Sequence, residues 1–269
     1  MRRDAGPDFI EALARGLDVL RSFQPARPHM TLSEIAAEAR LARPTTRRIL
    51  ITLQTLGYVR SDETGFSLTP RVLELGMTYI GSQNIWELSE PHLRSLSART
   101  EESCSIAQLD GSDIVYVSRV AVPKLVTFSV TIGTRFPAVQ TSLGKVLLAA
   151  LDGPELDRVL ALPGRSGITP RHHPQRDELD GTLRDVRAKG WAMADEELAL
   201  GIRSVAAPIR NGQGRTVAAV NVNAHAAETS VSELLEDYLP PLLRAAGDIS
   251  ADWAAWEARP IATIAPRAG

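Results

Sequence analysis

Thr31-Leu-Ser-Glu34-Ile35-Ala36-Ala37-Glu38-Ala39, then Arg40-Leu-Ala-Arg43, then Pro44-Thr45-Thr46-Arg47-Arg48-Ile49-Leu50-Ile-Thr-Leu53-Gln-Thr-Leu56-Gly57, is the stretch that decides the fold. Thr31 with Glu34 three places on is a capping box, which starts a helix by satisfying its free N–H groups. Leu32, Ile35, Ala36 and Ala39 repeat at helical spacing and mark one buried face. Pro44 opens a second helix, because its missing N–H would be unpaired in a first turn anyway. That helix is expected to bury Thr46, Ile49, Leu50, Leu53 and Leu56 and to stop at Gly57, a favoured residue just past a helix end. Two short helices joined by about four residues, the second with arginines at its start, describe a helix-turn-helix. Tyr58-Val-Arg60-Ser61 and Phe66-Ser-Leu68 around Asp62-Glu-Thr-Gly65 add the two-stranded hairpin of a wing.

From Arg40 through Arg60 the chain has five arginines (40, 43, 47, 48 and 60) and no acidic residue, although its net charge is −2. Concentrated positive charge is what phosphate contacts require, and guanidinium forks also read guanine edges in the major groove. Arg43, Thr45, Thr46, Arg47 and Arg48, with Arg60 in the wing, are therefore the candidate DNA contacts. Charge alone fits an arginine-rich solvated helix face better; the capping box, short turn, Pro start, Gly end and wing together favour double-stranded DNA.

Phe9 to Phe23, this helix-turn-helix and Leu56-Gly-Tyr-Val59 resemble the N-terminal half of IclR-type transcriptional regulators. The resemblance continues through Gly133-Thr-Arg-Phe-Pro137, Thr141-Ser-Leu-Gly-Lys145, Gly190-Trp191, Asp195 to Pro208 and Val220-Asn-Val-Asn223, and so runs from about residue 9 to about 256. It implies a C-terminal domain with a GAF-like fold that binds a small, acidic metabolite. Carried over position by position, the pocket falls on Ser142, Leu143, Ala194, Ile202, Ser204, Asn221 and Asn223. Ala194 stands where members often place a polar or acidic residue, and Arg210 where they often place an aromatic one. Phe9 to Phe23 and Asn221-Val-Asn-Ala-His225 look most like the branch regulating protocatechuate, 4-hydroxybenzoate or β-ketoadipate pathways, which implies an aromatic acid or a ring-cleavage product as effector.

The residues support such a pocket independently. Asn221 and Asn223 alternate with Val220 and Val222, so they share one strand face. Ser142 lies near a helix N-terminus, where N–H groups favour an anion. Arg119, Arg135 and Arg203 are candidates to pair with a carboxylate bidentately, each with a structural ion pair as its alternative.

Length, 269 residues, allows two domains that each bury a core. Hydrophobic and charged fractions of 44% and 23% are those of an ordinary globular chain. A single cysteine, Cys104, excludes an intrachain disulfide framework and fits a reducing cytoplasm. No apolar run approaches the ~18 residues of a membrane helix, and Met1-Arg-Arg-Asp-Ala-Gly-Pro7 lacks the apolar core of a secretion signal.

Residues 1 to 8 are expected to be a loose arm. Ile10, Leu13, Leu17 and Leu20 space a first amphipathic helix, and Gln24 to His29 form a loop. Thr69-Pro70 begins a linker helix whose apolar side (Val72, Leu75, Tyr79, Ile80) is expected to pack on a second subunit, because helix-turn-helix proteins commonly bind paired half-sites as dimers; a simple packed linker is the alternative. Strands are expected at Ser103 to Leu109, Asp113 to Arg119, Leu125 to Ile132, Trp191 to Asp195, Val205 to Arg210 and Thr216 to Asn223. Helices are expected at Ile85 to Arg99, Thr141 to Leu151, after Gly153-Pro154, near 175 to 189, and from Val231 to Trp256. Helices bracketing an antiparallel sheet are α+β.

The expected organisation is thus α+β: an N-terminal winged helix-turn-helix domain over 1–69, a linker helix over 70–83 and a GAF-like α/β sensor domain with an antiparallel sheet over 84–258. A tail over 259–269 is too rich in Pro and Ala to be ordered. The expected partners are a pseudo-palindromic operator, a small organic acid and one or three further copies of the chain, with no cofactor, metal or membrane. Neither a nucleophile with its base nor a metal set stands out: His172-His173 lies in a Pro- and Arg-rich loop, and the consecutive acids Asp195-Glu196-Glu197 are expected to face water. The distinct alternative is a small-molecule sensor or an enzyme acting on an aromatic acid, its winged helix used for protein contacts.

Overall fold

The computed structural model describes residues 6–24, 26–83, 85–123 and 130–259. The chain divides into two compact units, Met1–Gln83 and Asn84–Gly269.

The first unit begins with α1 (Glu11–Ser22), then β1 (His29–Met30), α2 (Leu32–Glu38), α3 (Arg43–Thr55), β2 (Val59–Ser61) and β3 (Phe66–Leu68). The capping box forms: Glu34 N–H donates to Thr31 Oγ1 at 3.3 Å, and Thr31 N–H donates to Glu34 Oε2 at 2.7 Å. Arg43 and Pro44 make the first turn of α3, and Gly57 takes φ +81°, the left-handed value that reverses the chain. Val19, Met30, Ile35, Leu50, Leu53 and Val59 close the core. The wing sheet has three strands in the order β1-β3-β2 rather than two. His29 and Met30 pair with Ser67 and Phe66, where the sequence suggested a loop; two residues are too few to show alternation. Leu56 is exposed at 51%, contrary to expectation. It caps the last turn, beyond the reach of the three-helix core.

Thr69 caps a 3₁₀ turn (Pro70–Val72) that leads into α4 (Leu73–Gln83). Leu73, Leu75, Met77 and Tyr79 on α4 are exposed; the side chain of Ile80 lies outside the described residues.

The second unit comprises α5 (Ile85–Thr100), β4 (Ser103–Asp110), β5 (Asp113–Val120), β6 (Arg135–Pro137), α6 (Ser142–Ala149), α7 (Gly153–Leu160), α8 (Arg176–Lys189), β7 (Ala192–Asp195), β8 (Ile202–Arg210), β9 (Thr216–His225), α9 (Val231–Glu233) and α10 (Leu239–Glu257). Its strands form one antiparallel sheet, β6-β5-β4-β9-β8-β7. One face packs against α5 and α10 through Leu93, Leu96, Leu242, Ile249 and Trp253. The other packs against α6, α7 and α8 through Leu143, Leu147, Leu156 and Leu183. Of the strand expected over 125–132, residues 125–129 lie outside the described residues, and 130–132 are not strand. The short edge strand β6 was not anticipated.

The final helix is interrupted by a π-helical stretch, Leu234–Tyr238. Pro240 and Pro241 have no N–H to donate to the carbonyls four residues back, so the hydrogen-bond spacing widens just before them.

Candidate DNA interface and effector cavity

Helix α3 presents Arg43, Arg47 and Arg48 to solvent, with Thr45 half-buried beside them. None of these arginines forms an ion pair among the described residues, and neither does Arg40. Arg60 in β2 is exposed, with its Nε donating to Ser67 Oγ at 3.0 Å. Thr46 does not belong to this surface. It is fully buried, and its hydroxyl donates to Ala42 O at 3.2 Å within the first turn of α3. Thr45 and Thr46 are neighbours on a helix, so a 100° step separates an outward side chain from a core one.

In the second unit a half-open cavity of about 100 Å³ lies on the α6 face of the sheet. Cross-strand register builds its floor. Ser105 of β4 sits opposite both Arg119 of β5 and Asn221 of β9, forming one row. The next row runs Ser103, Asn223, Ser204, Ala194 across β4, β9, β8 and β7. A bulge in β5 completes the first row: Ser105 pairs with Arg119 but Ala107 pairs with Tyr116, which leaves Val117 as the extra residue. Strict alternation would put Tyr116 and Arg119 on opposite faces; the bulge brings both into the cavity.

Of the ten residues the sequence nominates, Arg119, Ala194, Ile202, Ser204, Asn221 and Asn223 line this cavity. Ser142 lies behind it, its Oγ hydrogen-bonded to Ser204 Oγ at 2.7 Å. Leu143 is fully buried in the α6 core instead, turned from the cavity by one helical step. Arg135 is committed to Asp110 at 2.7 Å and to Asp113 at 3.4 Å. Arg203 is committed to Asp195 Oδ1 at 2.7 Å and donates to Thr229 O at 2.6 Å. Arg119 alone of the three arginines forms no ion pair among the described residues. It donates to Ser105 Oγ at 2.9 Å, while its buried Nε has no partner.

Sequence reading missed Tyr116, Phe136 and Gln140, which also line the cavity. The bulge hid Tyr116, and β6 hid Phe136, whose ring meets Tyr116 edge-on at 5.6 Å between centroids. Burial pushes the Tyr116 phenol up, opposed by the Asn223 amide, the Arg119 charge and the Asn221 amide beside it. Burial lowers Arg119, against the smaller effects of Tyr116 and Cys104. Three buried polar atoms without partners, Arg119 Nε, Gln140 Oε1 and Asn221 Oδ1, belong to residues of this one cavity. Buried polar groups in native proteins are nearly always paired, so such a concentration makes this cavity the candidate ligand site.

The loop between β7 and β8 forms one wall through Glu197, Leu198 and Gly201. Its acids do not simply face water. Lys145 Nζ reaches Glu197 Oε1 at 2.5 Å and Met193 O at 3.0 Å, and Glu196 Oε1 accepts from Gly201 N–H at 2.8 Å. On its outer side the loop accepts backbone bonds from Arg171 and His172. His225 closes against Gly201, whose φ is +78° and where a Cβ would stand 2.8 Å from the imidazole Nε2.

Among the described residues there is no group of three or more metal-ligating side chains, and no helix is long and apolar enough to cross a membrane. His172 instead pairs with Glu178 at 2.9 Å on the surface.

Two family models match. Residues 12–63 fit the IclR helix-turn-helix domain and residues 77–251 the bacterial transcriptional regulator IclR C-terminal domain. The chain is 38% identical over 244 residues to the Pca regulon regulatory protein of Pseudomonas putida, covering 90% of this chain and 84% of that protein. It is 32% identical to the p-hydroxybenzoate hydroxylase transcriptional activator of Acinetobacter baylyi, covering 90% and 91%. An IclR homologue from Microbacterium hydrocarbonoxydans, solved in complex with 4-hydroxybenzoate, shares the fold with a TM-score of 0.78 at 24% identity, over 91% of this chain and 99% of that one. These relatives are regulators of transcription, which sets aside the reading as an enzyme. The chain belongs to the IclR family of bacterial transcriptional regulators, with a helix-turn-helix domain followed by an effector-binding domain.

Proposed function

We propose that this regulator binds a pseudo-palindromic operator as a dimer or a dimer of dimers in the cytoplasm, and that a small aromatic acid in the cavity changes its hold on that operator. α3 enters the major groove with Arg43, Thr45, Arg47 and Arg48 at base edges or phosphates, and Arg60 in the wing reaches the flanking backbone. The effector lies over Asn221, Asn223, Ser204, Ala194 and Ile202 with its carboxylate against Arg119.

The observation that carries this reading is Arg119: a partly buried guanidinium facing a cavity, with no ion pair among the described residues and an unpartnered Nε. Size agrees, since a cavity of about 100 Å³ is on the scale of the ~150 Å³ apolar void known to take up benzene. The homologue solved with 4-hydroxybenzoate supports a ligand of this class, and the activator named for p-hydroxybenzoate hydroxylase agrees with it. The exposed apolar side of α4 supports a second copy as partner, because apolar patches of this kind mark interfaces.

Duplex sites selected by the purified protein from a random library test the first half, and mobility shifts on those sites with and without benzoates test the second. Two-fold symmetric selected sites whose occupancy shifts with an aromatic acid are the expected result. Selection of no sequence, or occupancy indifferent to every aromatic acid that binds, would overturn it.

A further inference from the structure

Gln140 immediately precedes Thr141, the N-cap of α6, and is 6% exposed. Its amide has a fixed sense. Nε2 donates to the backbone oxygen of His172 at 3.0 Å, a bond that only the nitrogen end of the amide can make. Oε1 is therefore the end left over, and it is buried without a donor in a residue that lines the effector cavity. Arg119 presents the opposite: a buried donor, its Nε–H, without an acceptor. A molecule that completes both must bring an anionic acceptor for the arginine and an O–H or N–H donor for the glutamine. Phe136 and Val130 line the space with apolar surface, which suits a ring as the spacer.

The geometry points to Gln140 as the residue that reads a ring hydroxyl. The ligand class is an aromatic monocarboxylate with a hydroxyl meta or para to the carboxylate, which sits on Arg119 while the hydroxyl donates to Gln140 Oε1. An ortho hydroxyl turns onto its own carboxylate and does not reach. This assignment rests on the effector reading above and adds the choice among aromatic acids.

Calorimetric titration of the full chain with benzoate, 3- and 4-hydroxybenzoate, 4-methoxybenzoate and salicylate tests the assignment. A hydroxybenzoate should bind about tenfold or more tightly than benzoate, the worth of one hydrogen bond to a buried acceptor. 4-Methoxybenzoate, which accepts but cannot donate, and salicylate should gain nothing over benzoate. Gln140→Leu should bring the ratio of hydroxybenzoate to benzoate affinity to within about twofold, whatever it does to benzoate itself. Arg119→Met should weaken benzoate and hydroxybenzoates alike. Where Gln140→Leu fails to fold, Gln140→Met serves, and the hydroxy–methoxy comparison needs no variant. A hydroxyl preference that survives loss of Gln140, or a methoxy analogue that binds as tightly as the hydroxy compound, overturns the assignment and leaves the effector reading standing. No binding of any member to the wild-type chain brings down the effector reading itself.

Discussion

Arg47 and Thr46 are adjacent in sequence and opposite in consequence. Arg47→Ala should weaken binding to a selected duplex by about 1–3 kcal/mol where it reads a base, or reduce the slope of log Kobs against log salt by about one where it meets a phosphate. Thr46→Val, which replaces a buried hydroxyl already bonded within its own helix, should leave DNA affinity within about twofold; fluorescence anisotropy at two or more salt concentrations separates the two outcomes. Cys104 is a third residue with a definite expectation. Complete burial pushes its thiol up to about 12, so the neutral form persists far above the ordinary thiol range and the nucleophilic thiolate is scarce. The folded protein at pH 8 should therefore resist a thiol reagent such as DTNB, while the chain in denaturant reacts at once. Residue types at helix ends, caps and breaks were legible in the sequence because their chemistry is local. Thr46 was misplaced among the DNA contacts because a threonine in a first turn reads equally as a cap, a core filler or a contact.

Two features of α6 and its surroundings set expectations at the level of elements. Gly144 lies so close to the backbone of Ala138 that an added Cβ would stand 2.0 Å from its carbonyl oxygen. Gly144→Ala must push α6 off the sheet edge, and a loss of about 2–4 kcal/mol is expected in urea unfolding, in line with other overpacked cores. Lys145→Met removes the partner of a largely buried Glu197 and the donor to Met193 O. It should destabilise the second unit by about 1–3 kcal/mol and weaken ligand binding through the loop wall, both visible when thermal denaturation is repeated with a saturating aromatic acid. The helices and long strands could be read from periodicity, since their apolar spacing is fixed by the sheet they cover. What could not be read depended on register. β6 is too short to alternate, β1 needed β3 already in place, and the roles of the three arginines turned on acids distant in sequence, such as Asp110 and Asp113 for Arg135.

At the scale of the molecule, the net charge of −2 and the acid-free run around α3 divide the labour: one small basic surface for DNA on a chain that otherwise repels it. Analytical ultracentrifugation should show a dimer or tetramer at micromolar concentration, and Leu75→Glu with Met77→Glu on the exposed side of α4 should shift it toward monomer and abolish tight operator binding, since paired half-sites need paired helices. The bulge in β5 has a consequence on the same scale. Val117 is the one uncompensated residue in that strand, so excising it restores plain alternation while Ser118 and Arg119 keep their partners Ile106 and Ser105, and Arg119 stays on the cavity face with Tyr116. A deletion of three nucleotides would then yield a regulator that still occupies its promoter and still hears its metabolite.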